Sequence, residues 1–395
     1  MYAKGSNGVN YNKLVLILGL AGFISAADNW FVSPVLPAIA AGFAASVAKT
    51  GVILTAYMIP YGVMQPVYGF FSDLRSKTRL LQFIVFGLAL GTAGCALSIS
   101  LLMLCAFRAI TGLFAAGIIA VSLAFIGDTV PDTRRQVYVG RFMGIVFLGQ
   151  GVSAGLGGLF AKYLSWRIAF LFFFVSAIVS VLLLCKLPES VATSQRSHFF
   201  AEFKFAITTQ KGKFIFPLAT AAGFFLLGLY SYLGSYLHEA VGLNYLQVGL
   251  IVMFYGFACL VAGTRVGEFG QLFGRFGTIL MGGFFAISSA CLLAFFNGWQ
   301  AGLLATISLG FGYIFIQSTL ATIAFDVSPQ CTGLSSGLVG LGLFGGGGIG
   351  AAFSGLVLSH TGYKDLWILL AAGIVLFIIA PIKLYYTRSK EYDIT

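Results

Sequence analysis

From Leu14 to about residue 386 the chain repeats one unit: an apolar run long enough to cross a membrane, a short polar break, and another run. A hydrocarbon core of about 30 Å needs about 20 apolar residues at 1.5 Å of helix rise each. Twelve runs are long enough, near 14–40, 48–71, 80–99, 101–127, 138–163, 166–186, 214–237, 246–264, 276–296, 299–325, 333–358 and 365–386. Lipid offers no partner to a free backbone amide, so only helices or closed barrels span it. These runs are continuously apolar and do not alternate, which selects helices. Charged residues make up 9% of the chain, against about 25% in a soluble protein. The expected fold is all-α and integral to the membrane, with 12 transmembrane helices. The first run lacks a small-residue cleavage site ahead of a soluble domain, so it reads as a span and not as a removed leader.

The net charge of +11 raises the question of a nucleic-acid partner, and the distribution of the charge answers it. With the N-terminus placed inside, eighteen of the 23 Lys and Arg fall in inner segments. Four (Lys49, Lys162, Arg167 and Lys364) fall at the outer ends, and Arg108 remains deep inside a run. Such a bias sets orientation, with both termini cytoplasmic. The expected location is a bacterial-type plasma membrane, the partners the lipid bilayer, protons and a small-molecule substrate, with no nucleic acid and a monomeric chain. The six cysteines include no CxxC pair and read as apolar filler. No cofactor or metal site is expected, because the three histidines are scattered and no P-loop is present.

The longest interruption halves the chain. It predicts an N-terminal six-helix bundle over 1–186, a cytoplasmic linker over 187–213 and a C-terminal six-helix bundle over 214–395. Within the linker, Phe199, Phe200, Phe203 and Ile207 share one helical face and Glu202 and Lys204 lie off it, the pattern of a short helix on a membrane surface. The halves also repeat. Asp128-Thr-Val-Pro131 recurs as Asp326-Val-Ser-Pro329, and Gly69 and Tyr57 have counterparts in Gly267 and Tyr255 at the same offset. Two pseudo-symmetric six-helix bundles holding a substrate between them is a transporter plan built on parallel repeats.

Charge concentrates between runs two and three, in Gly69-Phe-Phe-Ser72-Asp73-Leu-Arg75-Ser-Lys77-Thr-Arg79. This stretch resembles the loop between helices two and three of the major facilitator superfamily: Gly, three residues, Asp, a basic residue, any residue, Gly, then two basic residues. Gly69, Asp73 and Lys77 match. Leu74, Ser76 and Thr78 depart from it, with positive charge displaced to Arg75 and Arg79. The physics suits a conformational latch: Gly69 permits close helix approach, and Asp73 can sit at the positive N-terminus of helix eleven. Asp128, ending run four, is placed to hold Arg75 or Lys77. The alternative is that the basic residues only set topology.

Three further segments fit the same family. Residues 27–39, with Asp28, Pro34 and Pro37, resemble first-helix sequences of its drug-efflux branch. Arg108-Ala-Ile-Thr-Gly112 resembles its fourth-helix motif, and Ser165-Trp166-Arg167 the start of its sixth helix. Residues 153–158 read Ser-Ala-Gly-Leu-Gly-Gly and lack the Gly-Pro common in proton-driven exporters.

Asp28 and Arg108 are the two charges deep inside spans, at similar depth, and an intramembrane ionisable group is a functional candidate. Asp28 is expected to take up and release a proton with Arg108 beside it; the alternative is a permanent structural pair. From the helices that line the family's central cavity come Asn29, Trp30, Tyr230, Tyr232, Tyr236, Tyr313 and Gln317, with Tyr57, Tyr61 and Gln65 on helix two and Gln150 on helix five. Aromatic rings with sparse amides suit an amphipathic solute and not a multiply anionic one. Gly342, Gly346 and Gly350 repeat every four residues and predict close helix packing.

Gly333-Leu-Ser335-Ser-Gly337 fits a serine-nucleophile pattern, but it opens a span with no strand before it. The expected function is thus a non-enzymatic secondary transporter, exporting a small amphipathic compound against protons by alternating access. Metabolite uptake by symport or facilitation and lipid flipping are the alternatives, with a hydrolase built on Ser335 as the outsider.

Overall fold

A computed structural model describes residues 10–74, 76–189, 199–325, 327 and 332–392. Every regular element among them is helical. In the first half these are α1 (Tyr11–Trp30), α2 (Val32–Gly42), α3 (Val47–Thr50), α4 (Val52–Leu74), α5 (Lys77–Leu97), α6 (Leu101–Ala115), α7 (Ile118–Thr129), α8 (Asp132–Tyr163) and α9 (Trp166–Leu184). A short α10 (Phe199–Thr208) precedes α11 (Gly212–Glu239), α12 (Tyr245–Phe295), α13 (Trp299–Phe325), α14 (Thr332–Gly340), a π-helical turn (Leu341–Gly345), α15 (Gly346–His360) and α16 (Tyr363–Tyr392).

Ten helical stretches among the described residues are long and apolar enough to cross a membrane. One of them, α12, has 51 residues, about 77 Å at 1.5 Å per residue, more than twice the hydrocarbon thickness. Gly274 divides it, with φ 70° and ψ 169°, a left-handed conformation that a side chain disfavours. Counting both parts of α12 and adding α16 accommodates twelve crossings, with α1–α2, α6–α7 and α14–α15 each a single broken crossing. The chain therefore begins and ends on one side, here the terminal face, and α3, the α11–α12 turn and the α15–α16 turn lie on the opposite face.

Proline fixes the most consequential break. Pro34 has no amide proton, so the carbonyl of Trp30, four residues back, receives no helical hydrogen bond. The Tyr230 hydroxyl from α11 donates to that carbonyl at 2.8 Å. A defect in one helix thereby becomes a contact between the two halves.

Within each half, α1 packs on α8, α4 on α6, α5 on α9, α11 on α15, and α12 on α13 and α16. Between the halves, α8 meets α12, α4 meets α14 and α15, and α2 meets α11. Small residues allow these approaches. A Cβ added at Gly346 or Gly350 would run into the α11 carbonyls of Thr220 and Phe224, so the four-residue glycine spacing does mark a helix contact.

The linker helix differs from its expected orientation. Phe199 packs against the rings of Phe70 and Phe203, at 5.3 and 5.8 Å between centroids, whereas Phe200 stays 83% and Phe205 55% exposed. α4 claims the Phe199 side, leaving a different aromatic edge outward.

Candidate functional site

A cavity of about 180 Å³ lies between the halves. Each helix contributes to it a stripe spaced three or four residues apart, the spacing that aligns side chains on one helical face. α1 gives Ser25, Ala26, Asn29 and Trp30; α4 gives Tyr57, Tyr61 and Gln65; α13 gives Tyr313 and Gln317. The break between α6 and α7 adds Ala116, Ile119, Ala120 and Leu123, and α8 adds Met143, Val146, Phe147 and Gln150. From mid-membrane the cavity runs toward the terminal face, reaching Ser336 and Gly337 in the first turns of α14.

On the opposite face the halves are sewn together. The Trp30 ring stacks on Tyr255 at 4.9 Å and meets Tyr230 edge-on at 4.6 Å. The Ser33 hydroxyl donates to the carbonyl of Tyr230 at 2.7 Å and lies 3.2 Å from that of Ser231. A Cβ on Gly234 would come within 2.5 Å of the Pro34 backbone. Farther out, Cβ atoms on Gly51 of the first half or Gly355 of the second would collide with the Tyr232 hydroxyl. Tyr232 is fully buried, its hydroxyl without a hydrogen-bond partner.

Behind the cavity lies the ion pair. Arg108 Nη1 is 2.8 Å from Asp28 Oδ2 and also donates to the Asp28 carbonyl at 2.8 Å. The Thr92 hydroxyl donates to Asp28 Oδ1 at 2.9 Å. Both charged side chains have 0% exposure. The guanidinium sits 4.2 Å from the centroid of the Tyr57 ring, and Tyr57 in turn lines the cavity. Arg108 Nε and Nη2 have no hydrogen-bond partner.

Toward the terminal face, α4 and α14 touch through backbone: a Cβ on Gly69 would lie 2.5 Å from the Gly333 carbonyl. Lys77, 1% exposed, pairs with Asp128 at 2.6 Å. Arg75 and the side chain of Asp73, also expected in this latch, lie outside the described residues.

The structure thus gathers Asn29, Trp30, Tyr57, Tyr61, Gln65, Gln150, Tyr313 and Gln317 around one cavity. Three expected lining residues stand elsewhere, because α11 is held against α1, α2 and α15. Tyr230 backs Trp30, Tyr232 fills the Gly51–Gly355 gap, and the Tyr236 ring packs against Tyr363 and Trp367. Sequence reasoning missed Thr92, one of several hydroxyls in its span, and Phe344, whose π-helical turn has no sequence mark beyond dense glycine. Tyr255 was visible as the repeat of Tyr57. Ser335 is buried near the terminal face, while His238 and His360 end helices at the opposite face. His198 lies outside the described residues.

The sequence pattern of the Major Facilitator Superfamily matches residues 18–347. The chain belongs to this superfamily. Multidrug resistance protein fnx1 of Schizosaccharomyces pombe is 32% identical over 180 residues, 46% of this chain and 34% of the relative. Citrate exporter 1 of Aspergillus niger is 30% identical over 209 residues, 51% of this chain and 40% of the relative. The chain thus matches about a third to two fifths of the length of these curated relatives. The crystal structure of nucleoside transporter NupG superposes with a TM-score of 0.78 at 13% identity, covering 95% of this chain and 99% of that one. At that identity the likeness concerns the major facilitator fold alone.

Proposed function

We propose that this major facilitator protein is a secondary transporter that exports a small amphipathic compound in exchange for protons. The observation that carries this reading is the asymmetry of the cavity: stripes from both halves line it, the opposite face is sealed at Ser33, Tyr230 and Tyr232, and its lining continues to Ser336 beside the terminal face. Rocking the bundles 1–186 and 214–395 about it, joined by the linker 187–213, reverses which face is sealed.

The terminal face is assigned to the cytoplasm on the distribution of Lys and Arg. The bacterial plasma membrane expected from the sequence has no support from the relatives above, which are fungal. Their names, multidrug resistance and citrate export, are in keeping with the export proposed here. Among the described residues no Lys, Arg or His lines the cavity, so a tricarboxylate like citrate is disfavoured.

Protons enter the scheme at Asp28. Its carboxylate is held by Arg108 and Thr92 in the sealed state. Protonation removes the attraction that keeps a buried guanidinium satisfied, so a proton on Asp28 favours the state in which Arg108 meets water. The latch proposed for Gly69, Asp73, Arg75, Lys77 and Asp128 belongs to the terminal face, where the Lys77–Asp128 pair joins α5 to α7 within the first half.

The test is proton movement in proteoliposomes containing a pH-sensitive dye, on addition of indole-3-acetamide, benzamide or other small uncharged amphipathic compounds. Compound-induced proton movement opposite to compound flux, absent in Asp28→Asn, is expected. Compound flux with no proton movement would make the protein a facilitator and Asp28–Arg108 a structural pair.

A further inference from the structure

The cavity also carries information about which solute it accepts. We propose that it selects a compact, uncharged, ring-bearing solute with N–H donors, of the aryl-amide or N-heterocycle type. The inference rests on the transport reading of the same cavity and narrows its substrate class.

Room comes first. About 180 Å³ is the space of roughly six waters at about 30 Å³ each, and drug-sized ligands occupy pockets of about 300–1,000 Å³. One fused bicyclic ring with a short substituent fits; a bulky lipophilic cation does not.

Charge comes second. Among the described residues, not one that lines it is Lys, Arg, His, Asp or Glu. Asp28 and Arg108, behind the cavity, have 0% exposure and pair with each other, with the Tyr57 ring over the guanidinium. A charged solute would enter a site that offers it no counter-ion and few dipoles.

Polarity comes third, and it is directional. Asn29 is 5% and Gln150 7% exposed, and Asn29 Oδ1 and Gln150 Oε1 are buried with no hydrogen-bond partner in the protein. Both residues line the cavity, from the packed helices α1 and α8. An acceptor without a donor is costly, so a solute whose N–H meets it as the Asn29 or Gln150 side chain turns to the cavity is favoured over an analogue lacking that donor. Tyr61, Tyr313 and Phe344, also in the lining, supply aromatic surface for a flat ring.

The experiment is equilibrium binding to the purified full chain in detergent, by calorimetry. The probes are indole-3-acetamide, indole-3-acetate, citrate and tetraphenylphosphonium. Indole-3-acetamide and indole-3-acetate share ring and size and differ in charge and N–H donors, so wild type alone decides the question. The expected result is that the amide binds at least tenfold tighter than the other three. Asn29→Leu and Gln150→Leu should each weaken it about tenfold, the worth of one hydrogen bond, with the unfolding temperature unchanged. Equal or tighter binding of the carboxylate, of citrate or of tetraphenylphosphonium would overturn the proposal, as would no binding of the amide. These outcomes separate from the transport reading. Amide binding without flux would defeat transport and leave the selectivity standing; proton-coupled flux of tetraphenylphosphonium without amide binding would do the reverse.

Discussion

Replacing Asp28 by Asn tests whether the buried pair is a switch. In the sealed state Arg108 has 0% exposure, Nη1 makes its bonds to Asp28 alone, and Nε and Nη2 have no partner. The amide keeps the shape of the carboxylate and the Thr92 contact but removes the charge. Leaving one member of a buried pair uncompensated costs about 3–5 kcal/mol. That cost applies only where the guanidinium is cut off from water, so it falls on this conformation. At about 1.4 kcal/mol per factor of ten, the equilibrium moves by about two to three and a half powers of ten toward the state open on the opposite face. Spin labels at Lys49→Cys and Lys364→Cys, exposed on that face in the first and second halves, report the change by pulsed dipolar spectroscopy in a background without native cysteines. Wild type should give mainly the short distance and Asp28→Asn mainly the long one. Acidifying wild type should move it the same way and leave Asp28→Asn unaffected. The double replacement Asp28→Leu/Arg108→Leu removes the stranded charge and should restore the short distance. A short distance in Asp28→Asn at every pH would make Asp28–Arg108 a structural pair and not a switch.

Other substitutions probe the contacts that close each face. Gly51→Val takes the space of the Tyr232 hydroxyl, so Ser33→Cys, buried in this state, should react faster with an impermeant maleimide from the opposite face. Pro34→Ala supplies an amide proton to the Trp30 carbonyl and competes with the Tyr230 hydroxyl. It should weaken the same seal by about 1–3 kcal/mol, read by the same labels. Gly69→Val forces α4 away from the Gly333 carbonyl; it should raise the long-distance population between spin labels placed at the terminal ends of those helices. Replacing Gly350 with Leu meets the Phe224 carbonyl inside the second half and should lower the unfolding temperature without changing which face is sealed.

The spans were legible because hydrocarbon thickness and helix rise leave little freedom in how an apolar run is read. The meeting of Asp28 and Arg108 was legible for the same reason, since depth along two helices of opposite direction follows from residue count. Side-chain direction on α11 was not. Tyr230, Tyr232 and Tyr236 occupy a helix buried on nearly all sides, so no polar face reveals which one meets the cavity. Partners far away in sequence decide it: the free carbonyl beneath Pro34 draws Tyr230, and the absent side chains of Gly51 and Gly355 admit Tyr232. The linker helix forms where the sequence places it, but which of its phenylalanines turn to α4 was not legible, since those crowded along α10 and the end of α4 offer more than one way to pack. The π-helical turn at 341–345 lies in a glycine-dense stretch whose composition fits either helical form.

The most direct test of alternating access needs no knowledge of the substrate. Gln317→Cys places a single thiol in the cavity, and an impermeant maleimide can be applied to either face of oriented vesicles of cysteine-free protein. The account predicts labelling from both faces, with low pH favouring the opposite face and Asp28→Asn fixing that preference. Labelling from the terminal face alone, at every pH and in the variant, would contradict it.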